Sequence, residues 1–118
     1  MPAFVLVHSP LGAPYTWEPV ARELTDVGAR CAVPTLSFEP DGEGKYWPVH
    51  VEELTRAANS FESAVVLVAH SGAGGLLAEA AARLGEGAVG VCFVDATLPH
   101  PGMSRLRALG DEDEIAAF

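Results

Sequence analysis

Val65-Val66-Leu67-Val68-Ala69-His70-Ser71-Gly72-Ala73-Gly74-Gly75 passes from an unbroken apolar run into small residues with no spacer, and an Ala/Leu-rich segment continues to about Leu84. A short run of Val and Leu is the pattern of a strand buried on both faces, and the segment after it has helix-forming composition. Ser71 therefore stands at a sharp strand-to-helix turn. Where the two elements meet, side chains larger than a methyl at Ala69 and Ala73, two residues either side of the serine, would collide. A Gly-rich strand-to-helix turn can instead hold a phosphate. No GK[ST] occurs in the sequence and no GxGxxG follows this strand, which excludes a Walker loop and a dinucleotide fingerprint.

Working outward, residues 4–7 form an earlier apolar run that breaks into His8-Ser9-Pro10-Leu11-Gly12-Ala13-Pro14, an irregular loop fixed by its prolines and glycine. Val20, Leu24 and Val27 then recur at helical spacing, with Thr16 as the expected N-cap, Pro19 in the first turn and Gly28 as the stop. Residues 29–33 read as a second strand ended by Pro34, and residues 37–45 as an exposed polar loop. Pro48 opens a second helix with Trp47, Val51, Leu54 and Ala58 on one stripe and Glu52, Glu53 and Arg56 turned outward. A last strand is expected at residues 89–94. Continuously apolar strands alternating with amphipathic helices specify an α/β architecture: a doubly wound parallel sheet with right-handed crossovers, here one domain over residues 1–118.

Composition narrows the function. The 118 residues are 49% hydrophobic and 19% charged, too apolar for a disordered chain. Sixteen acids against seven bases give a net charge of −9, so nucleic acid and anionic membrane surfaces are excluded as partners. The apolar runs are too short to cross a bilayer, and no basic residue precedes the first of them, which reads as an unexported, cytoplasmic protein. Cys31 and Cys92 lie in separate apolar runs without ligand spacing and are expected to be buried, reduced thiols. No metal and no cofactor is expected.

The serine turn resembles the nucleophile elbow of the α/β-hydrolases, with Ala69 and Ala73 where glycines are common, and the resemblance implies a strained serine with its hydroxyl exposed above the sheet, near the positive end of the helix dipole. The order of strands, helices and loops over residues 4–110 is similar to the third to sixth strands of that fold, which implies a strand order of 2-1-3-4. The resemblance assigns Ser71 as nucleophile. It places the oxyanion hole at the Gly72 N–H plus a second N–H from the loop after the first strand. The family's loop begins His-Gly-X, whereas this one reads His8-Ser9-Pro10, and proline has no N–H to give; Leu11 or Gly12 is left to serve. By the same resemblance His8 is structural and His70 points away from the serine. His50 and His100 read as solvated surface residues, and Asp95, at the last strand's end, is either the triad acid or a turn cap.

A serine hydrolase needs a base and an orienting acid in the chain order Ser, acid, His. In the family the histidine comes from beyond the eighth strand, and this pattern stops after the sixth. His100 is the one histidine downstream of Ser71, so Ser71, Asp95 and His100 are the only triad the chain itself offers. The resemblance thus implies an N-terminal half: a fragment, one piece of a split enzyme or a stand-alone remnant, with residues 99–118 as the start of a cap region or a flexible tail. The implied function is an esterase-like half-domain acting on an ester or amide acyl substrate. Its base, and its acid unless Asp95 serves, come from a missing C-terminal portion, so the isolated chain is expected to be inactive. The alternative is a non-catalytic pseudo-hydrolase that binds a ligand or another protein. Residues 89–94 form an outer strand without Lys or Pro to guard its edge, so the expected partners are a C-terminal fragment of the same enzyme or a second copy.

Overall fold

In the computed structural model, which describes residues 1–98, four parallel strands lie side by side in the order β2-β1-β3-β4. They are β1 (Ala3–Val7), β2 (Cys31–Ala32), β3 (Val65–Ser71) and β4 (Ala88–Ala96). The central pair β1 and β3 run in register from Ala3 opposite Val65 to Val7 opposite Ala69. The helices are α1 (Glu18–Asp26), which links β1 to its neighbour β2, α2 (Trp47–Asn59), which crosses from β2 past β1 to β3, and α3 (Leu77–Leu84), which links β3 to its neighbour β4. The fold class and strand order are those the sequence predicts.

The pleat sends alternate side chains to two separate cores. Ala3, Val5 and Val7 of β1 and Val65, Leu67 and Ala69 of β3 are packed with Val51, Leu54 and Ala58 of α2 and Leu77 and Ala80 of α3. The opposite face holds a smaller cluster in which Leu6 and Val68 pack with Trp17, Ala21 and Leu24. Helices thus cover both faces, two on one side and α1 alone on the other.

Several local expectations change. The apolar spacing predicts Val20, Leu24 and Val27 against the sheet, but Trp17, Ala21 and Leu24 face it, leaving Val20 and Val27 exposed. Thr16 does not cap α1: residues Pro14–Thr16 form a separate 3₁₀ turn, and Trp17 precedes the helix with no side-chain cap. Gly28 ends the helix as expected, with φ at +91°. The second strand shrinks to two residues, Phe4 facing Cys31 and Val5 facing Ala32. Of the α2 stripe, Trp47 is largely exposed, and Glu53 turns in, its carboxylate accepting the Ser37 N–H at 3.0 and 3.2 Å. Glu52 and Arg56 do face outward and pair at 3.0 Å.

Both cysteines are free thiols, but neither is fully buried. Cys31 is partly covered and Cys92 is exposed. The reason is positional: β4 lies at the sheet edge, and α1 covers only the β2-β1-β3 side of the face to which Cys92 points. The expected 99–118 cap or tail lies outside the described residues. Among the described residues no helix is long and apolar enough to cross a membrane, and no group of three His, Cys, Asp or Glu is placed to hold a metal ion.

Candidate active site

Ser71 closes β3 with φ +55° and ψ −128°. Positive φ is uncommon for a residue with a Cβ and stores on the order of 1–3 kcal/mol unless the surroundings impose it. Here they do. The Ser71 carbonyl accepts the Thr97 N–H at 3.0 Å, tying the elbow to the end of β4. Residues Gly72–Leu76 then form a 3₁₀ turn that leads into α3. The Gly72 N–H opens this turn, where a helix has no acceptor of its own to offer.

The tightest approach at the elbow lies one residue past the expected position. Ala69 and Ala73 are fully buried. At Gly74, however, a Cβ would land within contact distance of the Thr97 carbonyl oxygen, 3.0 Å from its carbonyl carbon and 3.1 Å from Ala96 Cβ. Gly72, Gly74 and Gly75 are the sequence signal for this site. Which glycine bears the constraint depends on residues 96–97 crossing the turn, a long-range contact that local reading does not reveal.

Asp95 is the only other non-glycine residue with positive φ among the described residues, at +44°. The β3–β4 register shifts there, Val94 facing His70 while Ala96 faces Ser71, so Asp95 is the extra residue of a bulge. Two strained positions thus flank each other on adjacent strand ends, at the carboxyl edge where open α/β sheets bind ligands. Among the described residues no histidine is hydrogen-bonded to Asp95 or to Ser71.

In the loop after β1 both expected donors have partners within the loop itself. The Gly12 N–H donates to the Ser9 carbonyl at 2.8 Å, closing a β-turn with Pro10 at its second position and Gly12 at its fourth. That amide is therefore engaged in the turn. The Leu11 N–H is held by the Ser9 hydroxyl at 3.2 Å, a partner that can rotate away.

Two of the three described histidines, His8 and His50, are hydrogen-bonded away from Ser71, while the third, His70, has a buried Nδ1 without a hydrogen-bond partner. His8 is 1% exposed, and its Nε2 accepts the Leu36 N–H at 3.0 Å. That bond puts the ring proton on Nδ1, which donates to the Ser9 carbonyl at 2.6 Å. His8 thus joins the loop after β1 to the segment after β2, a structural role as expected. His8→Ala orphans a buried amide and is expected to lower unfolding stability in urea by about 1–3 kcal/mol. Leu11→Ala, at an exposed position, is expected to change it by no more than about 0.5 kcal/mol. His50 is not a surface residue: it is 2% exposed, and its Nε2 donates to the Ser37 carbonyl at 2.9 Å. The loop before α2 folds back over that part of the helix, a contact the helical stripe does not predict. His70 packs edge-on against Trp17, ring centroids 6.3 Å apart, on the α1 face. His100 lies outside the described residues.

No protein-family model matches this sequence, and no curated protein matches it. Solved structures do. An extracellular α/β-hydrolase from a Paenibacillus species superposes with a TM-score of 0.82 at 17% identity, covering 100% of this chain and 50% of that one. The fold is that of the α/β-hydrolases. A pyrethroid hydrolase from Sphingobium faniae JZ-2 gives 0.77 at 19% identity, with 96% of this chain and 47% of that one covered. Polyneuridine aldehyde esterase gives 0.73 at 23% identity, over 92% and 46%. The chain spans about half the length of these α/β-hydrolases and corresponds to their N-terminal half.

Proposed function

We propose that this chain is the nucleophile-bearing half of a serine hydrolase acting on an ester or amide acyl group. The observation that carries the reading is the Ser71 backbone: a non-glycine residue at φ +55° between a central parallel strand and a helix, pinned to the end of β4. Strain of this kind is kept where a hydroxyl must be presented to a substrate. Structural neighbours named as esterases and hydrolases support acyl chemistry.

Ser71 Oγ would attack the acyl carbon and pass its proton to a base. The Gly72 N–H would meet the developing oxyanion, joined by the Leu11 N–H once the Ser9 hydroxyl turns away. Asp95, on the bulge beside the serine, is the candidate acid. His8 and His50 are hydrogen-bonded elsewhere and the His70 ring lies against Trp17 on the α1 face, so the base is assigned to polypeptide outside the described residues, a C-terminal portion of the same fold.

The engagement of the Gly12 and Leu11 amides favours a second reading, a non-catalytic module whose crevice binds a small apolar ligand. The 118-residue chain alone is expected to hydrolyse an activated aryl ester no faster than buffer, with no change in Ser71→Ala. Turnover that vanishes in Ser71→Ala would refute the division of the triad and assign Asp95 and His100 as acid and base.

A further inference from the structure

We propose that the segment Leu36–Ser37 is a latch that opens in acid, and that a proton on the buried His8 ring is what releases it. Residues 33–37 belong to no strand or helix, so their amides have no ladder to join. Side chains satisfy them instead. The Leu36 N–H donates to His8 Nε2 at 3.0 Å, and the Ser37 N–H to the two Glu53 carboxylate oxygens at 3.0 and 3.2 Å. His50 completes the set, its Nε2 donating to the Ser37 carbonyl at 2.9 Å. His8, His50 and Leu36 are all at least 98% buried, so water does not replace a lost partner. His8 follows β1 and Leu36 follows β2, the two strands farthest from β4.

The side chains around the segment answer a proton differently. His8 Nδ1–H donates to the Ser9 carbonyl at 2.6 Å, which leaves Nε2 as the ring's single acceptor. A proton on Nε2 makes it a donor, and N–H then faces N–H in a place closed to water. His50 keeps its Nε2–H when its ring is charged, so its bond to Ser37 survives. His70, on the neighbouring strand, stands one position past Ala69, the last residue paired with β1, and is bonded to neither Leu36 nor Ser37. Glu53 is the other acceptor, and the loss of its charge would weaken the Ser37 bonds rather than the Leu36 bond. The Ser9 carbonyl that takes the His8 proton also accepts the Gly12 N–H, so the ring braces the turn that carries Leu11 as well. The loops after β1 and β2 both leave the carboxyl edge of the parallel sheet, where Ser71 ends β3. Release of the latch therefore loosens one wall of the candidate site.

The latch uses no chemistry at Ser71, so it stands or falls apart from the proposed activity. The test is amide hydrogen exchange of the 118-residue chain, read by NMR from about pH 8 to about pH 5, the range in which imidazoles take up a proton. Rates are expressed as protection relative to unstructured peptide, which removes the pH dependence of the exchange chemistry itself. Protection at Leu36 is expected to fall at least about tenfold towards acid, the equivalent of one lost buried hydrogen bond, while Leu67 in β3 keeps its protection. His8→Gln offers an amide oxygen to the Leu36 N–H and cannot titrate, so its Leu36 protection should stay level. Glu53→Gln should behave like the parent chain. Should His8→Gln fail to fold, the imidazole nitrogen shifts of the parent give a second readout. His8 Nε2 should then gain its proton at the pH where Leu36 loses protection, and separate midpoints would overturn the proposal. So would level Leu36 protection in the parent, a fall shared by Leu67, or a fall that persists in His8→Gln and vanishes in Glu53→Gln.

Discussion

Gly74→Ala is expected to destabilise this chain by about 3 kcal/mol, the upper end of the range for overpacking. The added methyl meets the Thr97 carbonyl, and a backbone oxygen cannot rotate aside as a side chain can. Relief requires residues 96–97 to move off the turn, which breaks the Thr97 N–H bond to the Ser71 carbonyl. That bond is also what holds Ser71 in its strained conformation, so elbow and strand end loosen together. Gly42→Ala is the matched control, since nothing lies within 4 Å of its added Cβ and its φ is not positive. It should shift stability by no more than about 0.5 kcal/mol. Urea unfolding of the three proteins gives the comparison, and equal midpoints for the Gly74 and Gly42 variants would show that the turn is looser than its geometry.

The reason so much of the architecture can be read from the chain is that it rests on local signals. Residues 65–69 are apolar without a break because β3 is central and covered on both faces, and the glycines and prolines punctuate every crossover. The same rule misleads at the edge. β4 is as continuously apolar as β3, yet several of its side chains face solvent, because burial depends on a neighbour strand and a covering helix that the pattern cannot count. The face of α1 is misjudged for a related reason: Trp17, just outside the helix, anchors it and turns Val20 away from the sheet.

The site divides in the same way. The position of Ser71 is legible because the steric demand on its flanks falls within a few residues of sequence. His50, Gly74 and the loop amides are not, since each is decided by a segment far along the chain or by a turn whose hydrogen bonds are invisible in composition. Ser9-Pro10-Leu11-Gly12 does carry a β-turn signature, Pro second and Gly fourth, and that signature already implies that the Gly12 amide is committed. Read only as a variant of a family loop, it leaves Gly12 looking free.

The proposed activity makes the largest kinetic prediction. If Ser71 is a nucleophile whose base lies beyond the described residues, then the protein as its source organism makes it should hydrolyse an activated ester, and Ser71→Ala should lower kcat at least about a thousandfold. The most direct measurement is the intact mass of that natural protein, purified without protease exposure and assayed with and without Ser71→Ala. The account predicts a polypeptide, or a stable pair of polypeptides, of about twice 12.3 kDa, since this chain spans 46–50% of its structural neighbours, with hydrolysis that depends on Ser71. Hydrolysis untouched by Ser71→Ala, or a natural protein of 12.3 kDa with no second polypeptide, would contradict it.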